Sequence, residues 1–489
     1  MRFRFSLRTL LLAVLLIGSA VMLWQRWKPW LPVRTLGGHE SEVFSAVFSP
    51  DGRKLLTLTH LPIPVYAITG WEEPIPVIAR IWDLDRADQP PVTIRWGEVS
   101  DFWWSDYAFS ADNRWLIVKT VEREYSRARI FDATTGQDLF ANGDEVLDLC
   151  IPPGGPGLVA IYANKPAEVW DLEQRKVIKT LNLPAVNSIM EGRTRISGGR
   201  DAFTAQFSPD AKWVAIGNEG MLAEVPGAAD HDTVLIPPFV WNVESGEKIP
   251  CNDELPAAGA FSPDSQNLLI RKWQNDQHNY CIYDLRSRSM AHYIEGAESC
   301  QVFSPDGKEF VLWTGAVFKR DSPKEFRVYD VASCKMIAAI PGSPSSHDRS
   351  APVIWIGSRI FFSGGNASDR SRIFDMAART SIDIPATIHP APYGKRVFAY
   401  KWQTDFADIR DSGTGDVLAQ LTGKIRIFNA AWSPDGNEIV IGGDDGEAVL
   451  WKQHRPEQWW GMFWLPEIWL TVVFAVALAF SIRRDRRAR

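Results

Sequence analysis

Apolar stretches of this chain end repeatedly in the same short phrase, an aromatic residue followed by Ser-Pro-Asp and often Gly. Copies stand at residues 48–52, 207–210, 261–264, 303–307 and 432–436, with a weaker one at 109–112. Proline in this position fixes the φ angle that a type I turn requires, and glycine tolerates the backbone at the exit of the turn. A turn that returns along a chain indicates a repeated supersecondary unit, so the phrase predicts a repeat architecture.

A second pattern ends each unit: a β-branched or apolar residue, an aromatic residue, and then Asp or Asn. Clear copies stand at residues 81–83, 130–132, 169–171, 240–242, 282–284, 328–330 and 373–375, while 409–411 is degenerate and 449–451 closes the series. Successive copies lie 36 to 71 residues apart. Most spacings are close to the roughly 40–45 residues of a four-stranded propeller blade. The nine copies therefore predict up to nine blades.

Together the two patterns resemble those of the WD40 repeat family, and the resemblance covers about residues 33–455. It implies an all-β fold, a single β-propeller of eight or nine four-stranded blades. Residues 33–36 look like an outermost strand, whereas the last unit ends soon after Trp451 without one. We expect the early strand to complete the last blade, because backbone pairing there joins the ends of the ring and removes two exposed edges.

Blades of that family often share a buried polar network in which Gly-His, a Ser or Thr and a turn Asp connect to the strand-end Trp. Here Gly38-His39 is the only Gly-His of the chain. The last unit keeps Asp445 and Trp451 but has Ile441 where the Ser would stand. We therefore expect the network to be mostly absent and the blades to depend on apolar packing, for which 22 Trp residues supply large side chains.

Both ends of the chain are apolar. Residues 10–24 are uncharged and mostly apolar, and so are residues 468–482. Each run has fifteen residues, against about 20 for a membrane span. If residues 7–27 are counted together, the N-terminal segment is long enough to span a membrane. The alternative is a cleaved signal peptide with a candidate cleavage site at Gly18-Ser19-Ala20. We predict a signal-anchor or transmembrane helix in residues 1–30, a propeller in 33–455, a transmembrane helix in 459–483 and an Arg-rich cytoplasmic tail in 484–489.

The distribution of charge predicts an orientation. Five Arg follow the C-terminal run, whereas only Lys452 and Arg455 precede it closely. Because positive flanks stay on the cytoplasmic side of a membrane, we expect both termini in the cytoplasm and the propeller outside. The expected location is a bacterial inner membrane, with the two helices as its contact to the lipid.

Charge and cysteine content limit the kinds of partner and of cross-link that are expected. The net charge is −6, so a broad nucleic-acid surface, which would be basic, is not expected. The five cysteines contain no Cys-x-x-Cys pair and are odd in number, so they do not indicate a disulfide framework. Cys281 and Cys300 lie close to repeat signatures and are expected to be buried thiols; one bridge among the five remains open.

No catalytic motif is present: there is no Gly-x-Ser-x-Gly, no His-Glu-x-x-His and no phosphate-binding loop. The Gly-rich residues 152–157 occupy the place of a blade turn, and residues 444–447 are expected to form a β-turn rather than a cation loop. We therefore predict no catalytic, cofactor-binding or metal-binding residues and no cofactor.

Two stretches depart from the repeat. Residues 60–79 lengthen the first blade, and residues 218–239, which include Asp230, His231 and Asp232, lengthen the fourth. Insertions of this kind map to loops on the propeller faces, where partners dock. The leading hypothesis is a non-catalytic scaffold that binds proteins through these loops. The alternative is a propeller that binds a small ligand or glycan at the channel mouth, or an enzyme there; convergent Asp, Glu, His or Arg side chains would favour it, and small apolar ones would oppose it.

Overall fold

The computed structural model of the protein describes the following residues: 7–26, 29–60, 75–99, 105–121, 126–140, 146–153, 157–162, 165–181, 194–195, 203–218, 223–224, 233–234, 239–249, 257–274, 277–294, 299–313, 325–341, 353–364, 370–423, 426–454 and 466–487. Their main element is a ring of antiparallel sheets, the blades of a β-propeller, in which successive sheets follow one another along the chain.

Strand β1 (Trp30–Leu36) precedes the first complete blade. Blade 1 contains β2 (Ser45–Phe48), β3 (Lys54–His60), β4 (Ile75–Asp83) and β5 (Val92–Val99). Blade 2 contains β6 (Ser105–Phe109), β7 (Trp115–Val121) and β8 (Ser126–Asp132), and blade 3 contains β9 (Val146–Cys150), β10 (Gly157–Tyr162), β11 (Glu168–Asp171) and β12 (Lys176–Thr180). A short strand β13 (Thr194–Arg195) follows.

Blade 4 contains β14 (Phe203–Phe207), β15 (Trp213–Asn218), β18 (Phe239–Asn242) and β19 (Lys248–Ile249), with β16 (Ala223–Glu224) and β17 (Thr233–Val234) between its second and third strands. Blade 5 contains β20 (Ala257–Phe261), β21 (Asn267–Gln274), β22 (Gln277–Asp284) and β23 (Ser289–Ile294). Blade 6 contains β24 (Ser299–Phe303), β25 (Glu309–Trp313), β26 (Glu325–Asp330) and β27 (Met336–Pro341).

Blade 7 contains β28 (Val353–Ile356), β29 (Arg359–Phe362), β30 (Ser371–Asp375) and β31 (Thr380–Ile384). Blade 8 contains β32 (Thr387–Pro390), β33 (Arg396–Tyr400), β34 (Phe406–Asp411) and β35 (Val417–Thr422). Blade 9 contains β36 (Ile427–Trp432), β37 (Glu438–Gly443) and β38 (Ala448–Gln453). The described strands thus form nine blades, the higher of the two predicted counts. Blade 2 has three strands and an isolated bridge between Phe131 and Asp138 in place of a fourth.

The turn phrase joins the first strand of a blade to the second, and each of its residues has a structural role. In the first copy the Gly52 N–H donates to the Ser49 carbonyl at 2.8 Å, which is the predicted four-residue turn. The buried Ser49 hydroxyl donates to Asp51 at 2.6 Å and accepts from the Lys54 N–H at 2.8 Å. The same Ser-to-Asp bond recurs in the copies that contain Ser110, Ser208, Ser262, Ser304 and Ser433.

Ring closure follows the prediction. Strand β1 pairs antiparallel with β38, in a register that places Trp30 opposite Gln453 and Leu36 opposite Ala448. The first strand of the ring is therefore the outermost strand of the last blade. Trp30 is 2 % exposed; its ring meets Trp432 edge-on at 5.7 Å, and the guanidinium of Arg396 lies 5.7 Å from it.

Apolar packing lies between blades. Nine clusters of buried apolar residues occur among the described residues, and each joins two neighbouring blades. One cluster packs Leu36 and Val440 of blade 9 against Leu55 and Trp82 of blade 1. Nine clusters for nine interfaces show that the ring is closed by side chains as well as by backbone.

Two helices flank the ring: α1 (Leu7–Arg26) and α2 (Pro466–Arg487). The Thr9 and Ser481 hydroxyls are hydrogen-bonded at 2.7 Å, so the beginning of α1 meets the end of α2 and the pair is antiparallel. The predicted transmembrane helices, and with them the inner-membrane location and the stated orientation, are wrong: in the part of the chain that the structure covers, no helix is long and apolar enough to cross a bilayer. The helices have 20 and 22 residues, but the uninterrupted apolar run in each has only fifteen, fewer than the ~20 required.

Candidate functional site

The antiparallel order of strands gives the ring two different faces. The turn face carries the first-to-second and third-to-fourth connections of each blade, including all the Ser-Pro-Asp turns. The loop face carries the second-to-third connections and those that lead from one blade to the next. Because Trp30 and Gln453 lie at the turn-face ends of β1 and β38, the chain enters and leaves the ring on that side.

Connection lengths differ between the faces. On the turn face the connections between assigned strands run from two residues (357–358) to eight (84–91). On the loop face the stretches between blade strands run from two residues (275–276) to twenty-two (181–202, which include the short strand β13). The turn face therefore keeps connections of similar length, and the loop face carries the variation in connection length. In repeat proteins such variation collects on the side that meets partners.

Both predicted insertions begin and end at the loop face. The first is shorter than its predicted range of 60–79, because His60 ends β3 and Ile75 begins β4; residues 61–74 between them lie outside the described residues. In the second, β16 pairs with both β17 and β13, so residues 194–195, 223–224 and 233–234 make a small three-stranded sheet. Asp230, His231 and Asp232 also lie outside the described residues.

A polar network on the loop face spans the ring closure. The Trp82 indole N–H donates to the Thr57 hydroxyl at 2.8 Å, and this hydroxyl lies 2.8 Å from His39 Nε2. His39 Nδ1 lies 2.9 Å from the Gly446 carbonyl, which can only accept, so Nδ1 carries the proton and Nε2 accepts from Thr57. Blade 1 thus forms the network of which the sequence showed only Gly38-His39. Thr57 is its unpredicted member.

Burial sets the protonation of this histidine. Desolvation lowers the pKa of His39 from 6.5 to about 4, against the bond to Gly446, which raises it, while the charge of Arg80 adds to the lowering. The ring is therefore neutral at neutral pH, in agreement with an Nε2 that accepts. Its role is structural, because both nitrogens are already used within the fold.

An aromatic patch on the same face lies across blades 8 and 9. Trp402 and Phe428 meet edge-on with centroids 5.6 Å apart, and Phe406 is nearby in the chain at the start of β34. Trp402 is 38 % and Phe406 44 % exposed. Large, partly exposed aromatic side chains are typical anchors of protein interfaces. Neither residue carries a repeat signature, so the sequence patterns did not single them out.

The turn face opens into a cavity of about 550 Å³ between the inner strands of blades 1 to 3. Most of its lining is apolar, including Pro50, Phe109, Leu149 and Pro152, and Lys119 and Cys150 add polar groups. Burial raises the pKa of the Cys150 thiol to about 12, so it is not a thiolate nucleophile at neutral pH.

Lys119 is already neutralised in this cavity. Its ammonium lies 2.6 Å from Asp148, whose side chain is 3 % exposed. Asp148 also accepts from the Leu149 N–H at 2.8 Å and from the Ala205 N–H at 2.5 Å. Burial raises the pKa of Asp148, although Lys119 and the two N–H groups act in the opposite sense. The carboxylate therefore connects blades 2, 3 and 4 rather than facing a ligand.

A second cavity on the turn face, of about 370 Å³, is more polar and is lined by Asp51, Asp435, Glu438 and Tyr393. Its carboxylates are engaged within the fold: Ser49 donates to Asp51, Ser433 donates to Asp435, and the Lys452 ammonium lies 2.8 Å from Glu438. Asp51 and Asp435 thus cap their turns, and Glu438 forms an ion pair with Lys452.

The other sequence candidates are parts of turns. Residues 444–447 join β37 to β38, with the Glu447 N–H donating to Asp445 at 3.1 Å and Asp444 accepting from the Arg426 N–H at 3.1 Å. The predicted β-turn there is confirmed. Of the Gly-rich stretch, residues 154–156 lie outside the described part of the chain. Cys281 is buried as predicted, and Cys150, Cys281 and Cys334 are free thiols; no placement is described for Cys251 or the side chain of Cys300.

Comparison with known families identifies WD40 repeats at the ring closure. The family described as WD domain, G-beta repeat matches residues 30–58 and 415–452, which hold β1 to β3 and β35 to β38. No curated protein matches the sequence.

Three solved structures are similar to this chain at low sequence identity. The Dos1 propeller is 11 % identical with a TM-score of 0.49, covering 86 % of this chain and 95 % of that one. The C-terminal WD40 domain of Sif2 is 11 % identical with a TM-score of 0.44, covering 87 % and 98 %. A eukaryotic initiation factor is 12 % identical with a TM-score of 0.49, covering 79 % and 89 %.

Proposed function

Since WD40 repeats close a nine-bladed propeller in this chain, we propose that the protein is a non-catalytic scaffold that binds other proteins through its loop face. The observation that carries the proposal is the contrast between the faces: connections vary in length on the loop face and stay short on the turn face. A closed ring fixes where each of these loops begins and ends, which lowers the entropy that docking costs. The fold alone does not name the partner.

The aromatic patch supplies anchors for such an interface. Trp402 and Phe406 stand at the edge of the loop face, where blade 8 meets blade 9, and their backbone is held by the bond from the Gln403 N–H to the Ile427 carbonyl at 3.0 Å. Rigid aromatic side chains contribute contact area while losing little entropy. Residues 61–74 begin and end on the same face and are a second candidate contact.

The proposal is tested by comparing the two faces. In one variant Trp402 and Phe406 become Ala; in another, residues 61–74 are replaced by a short Gly-Ser linker. The matched control is Arg53→Ala with Asp85→Ala, an exposed pair on the turn face 3.7 Å apart. Proteins captured by proximity labelling in cells are compared with those of the unchanged chain, after thermal unfolding has shown that each ring is intact.

We expect the loop-face variants to lose a defined set of partners that the control retains. Equal sets for all variants, or a loss confined to the control, would reject the loop face as the docking surface.

Binding of a small ligand in the channel is the alternative, and the cavities support it less. The larger one has a mostly apolar lining, its Lys119 is paired with Asp148, and its Cys150 is a neutral thiol. Convergent unpaired charges would favour ligand binding or a reaction, and the described residues that line this cavity do not include them.

A further inference from the structure

The two helices form a hairpin with a large exposed apolar surface, which is unfavourable in water. On α1 the exposed residues include Leu7, Leu10, Val14, Ile17 and Val21, between 48 % and 80 % accessible. On α2, Val473, Val476 and Phe480 are between 49 % and 68 % accessible. Contiguous apolar patches of this extent on proteins in water mark an interaction surface.

The spacing of these residues is regular. Along α1 they follow one another at intervals of three, four, three and four residues, and along α2 at three and four. This is the spacing of the a and d positions of a heptad, the seam at which helices pack knobs into holes. We call the two rows the open seams.

The contact between α1 and α2 uses other faces of both helices. Thr9 and Ser481 are buried and bonded to one another, while Leu12, Leu16 and Ser19 of α1 are half-buried. These positions lie about half a turn away from the open seam of α1. Each helix therefore has one seam filled within the chain and a second that faces outward. Further exposed apolar residues flank the open seams: Leu11, Leu15, Trp469, Leu470 and Val472.

We propose that the open seams of α1 and α2 pack against the same seams of a second copy of this chain, forming a four-helix bundle and a dimer of propellers. An antiparallel pair of helices, 20 and 22 residues long, presents two parallel rows of equal spacing, so a two-fold axis can bring them onto themselves. Each of the eight seam side chains is about half exposed or more, and together they can supply much of the apolar part of the about 800 Å² per partner that a stable interface buries.

The full-length chain, at micromolar concentration in aqueous buffer without detergent, tests this in the analytical ultracentrifuge. The seam variant is Val14→Glu with Val476→Glu. The control is Leu15→Glu with Ala475→Glu, which adds the same charges to exposed positions on the two helices, outside the open seams. A milder variant, Val14→Ala with Val476→Ala, leaves helix and charge unchanged.

We expect the unchanged chain and the control to sediment at twice 55.0 kDa, the mass of one chain. The Glu variant should raise the dimer dissociation constant about a hundredfold or more, because the dimer would bury four carboxylates in an apolar seam. The Ala variant should give a smaller increase, and the Trp fluorescence melting of the ring should not change.

Three results would overturn the proposal. The unchanged chain could be monomeric, or the seam and control variants could dissociate alike. The chain could also stay monomeric while floating with phosphatidylcholine vesicles in a density gradient, which would assign the open seams to lipid instead of a second copy.

Discussion

His39 Nδ1 donates to the carbonyl oxygen of Gly446, 2.9 Å away and 407 residues later in the chain. His39 stands in the connection that leads from β1 into blade 1, and Gly446 in the turn between β37 and β38 of blade 9. The bond therefore joins the two ends of the ring on the loop face. It complements the β1–β38 ladder, which joins them at the outer edge.

The protonation of His39 should make ring stability depend on pH. Its folded pKa of about 4 lies below the ordinary 6.5, because burial disfavours the cation. Between these values the unfolded chain binds a proton that the folded chain does not, so the free energy of unfolding falls as pH decreases from 6.5 towards 4. Above 6.5 this contribution to stability is fully present.

Urea unfolding at several pH values checks this, with His39→Gln as the comparison, since Gln keeps a donor and an acceptor but does not titrate. We expect a flatter pH profile for the variant between pH 6.5 and 4. Parallel profiles would show that His39 titrates normally in the folded ring.

Much of the ring could be predicted because its signatures repeat for a physical reason. Each copy of the turn needs the same Ser to satisfy its Asp and the following N–H, so the phrase recurs between the first two strands of blades 1, 2, 4, 5, 6 and 9. All nine strand-end patterns fall in the third strand of a blade, and residues 33–36 form most of the closing strand.

What the sequence did not show depends on contacts between distant residues. Thr57 joins His39 to Trp82 from the middle of a strand, where no local pattern identifies it. Lys119 and Asp148 meet across two blades. At the chain ends, apolar composition was interpreted as membrane spans, whereas the two apolar runs belong to a pair of helices bonded through Thr9 and Ser481.

The closing strand should depend on its first side chain. Trp30 is almost fully buried against Trp432 and Arg396. Trp30→Ala should lower the free energy of unfolding by about 3–5 kcal/mol, because it removes a large core side chain and a cation–π contact. Val33→Ala, in the same strand but 52 % exposed, is the control and should cost under about 0.5 kcal/mol. Denaturant titration measures both; equal costs would show that Trp30 does not secure the closure.

The residue that follows the Asp of the turn phrase has a left-handed backbone whether or not it is glycine. Gly307 has φ 71° and Ala211 has φ 61°. Ala211→Gly should therefore stabilise the ring by about 0.5–1 kcal/mol, since relief of the left-handed strain exceeds the entropy that glycine adds to the unfolded chain. Gly307→Ala should destabilise it by a similar amount. Shifts of the same sign in the two variants would refute this account of the turn.

The buried ion pair between Lys119 and Asp148 should show strong coupling. Asp148→Ala should cost about 3–5 kcal/mol of unfolding free energy, because it leaves a partly buried ammonium without its partner and also frees the Ala205 N–H. Lys119→Met should also destabilise, since Asp148 then stays buried without its cation. The double variant Lys119→Met with Asp148→Ala removes both charges and should lose clearly less than the sum of the two single losses.

The exposed pair Arg53 and Asp85, 3.7 Å apart with side chains 72 % and 67 % accessible, provides the reference cycle. Its coupling should stay below about 1 kcal/mol, because water and salt screen it. If the coupling energy between Lys119 and Asp148 were as small as that of this surface pair, the two charges would not interact as strongly as their 2.6 Å contact predicts. A large coupling energy would instead identify Asp148 as the residue that links blades 2, 3 and 4 beside the larger turn-face cavity.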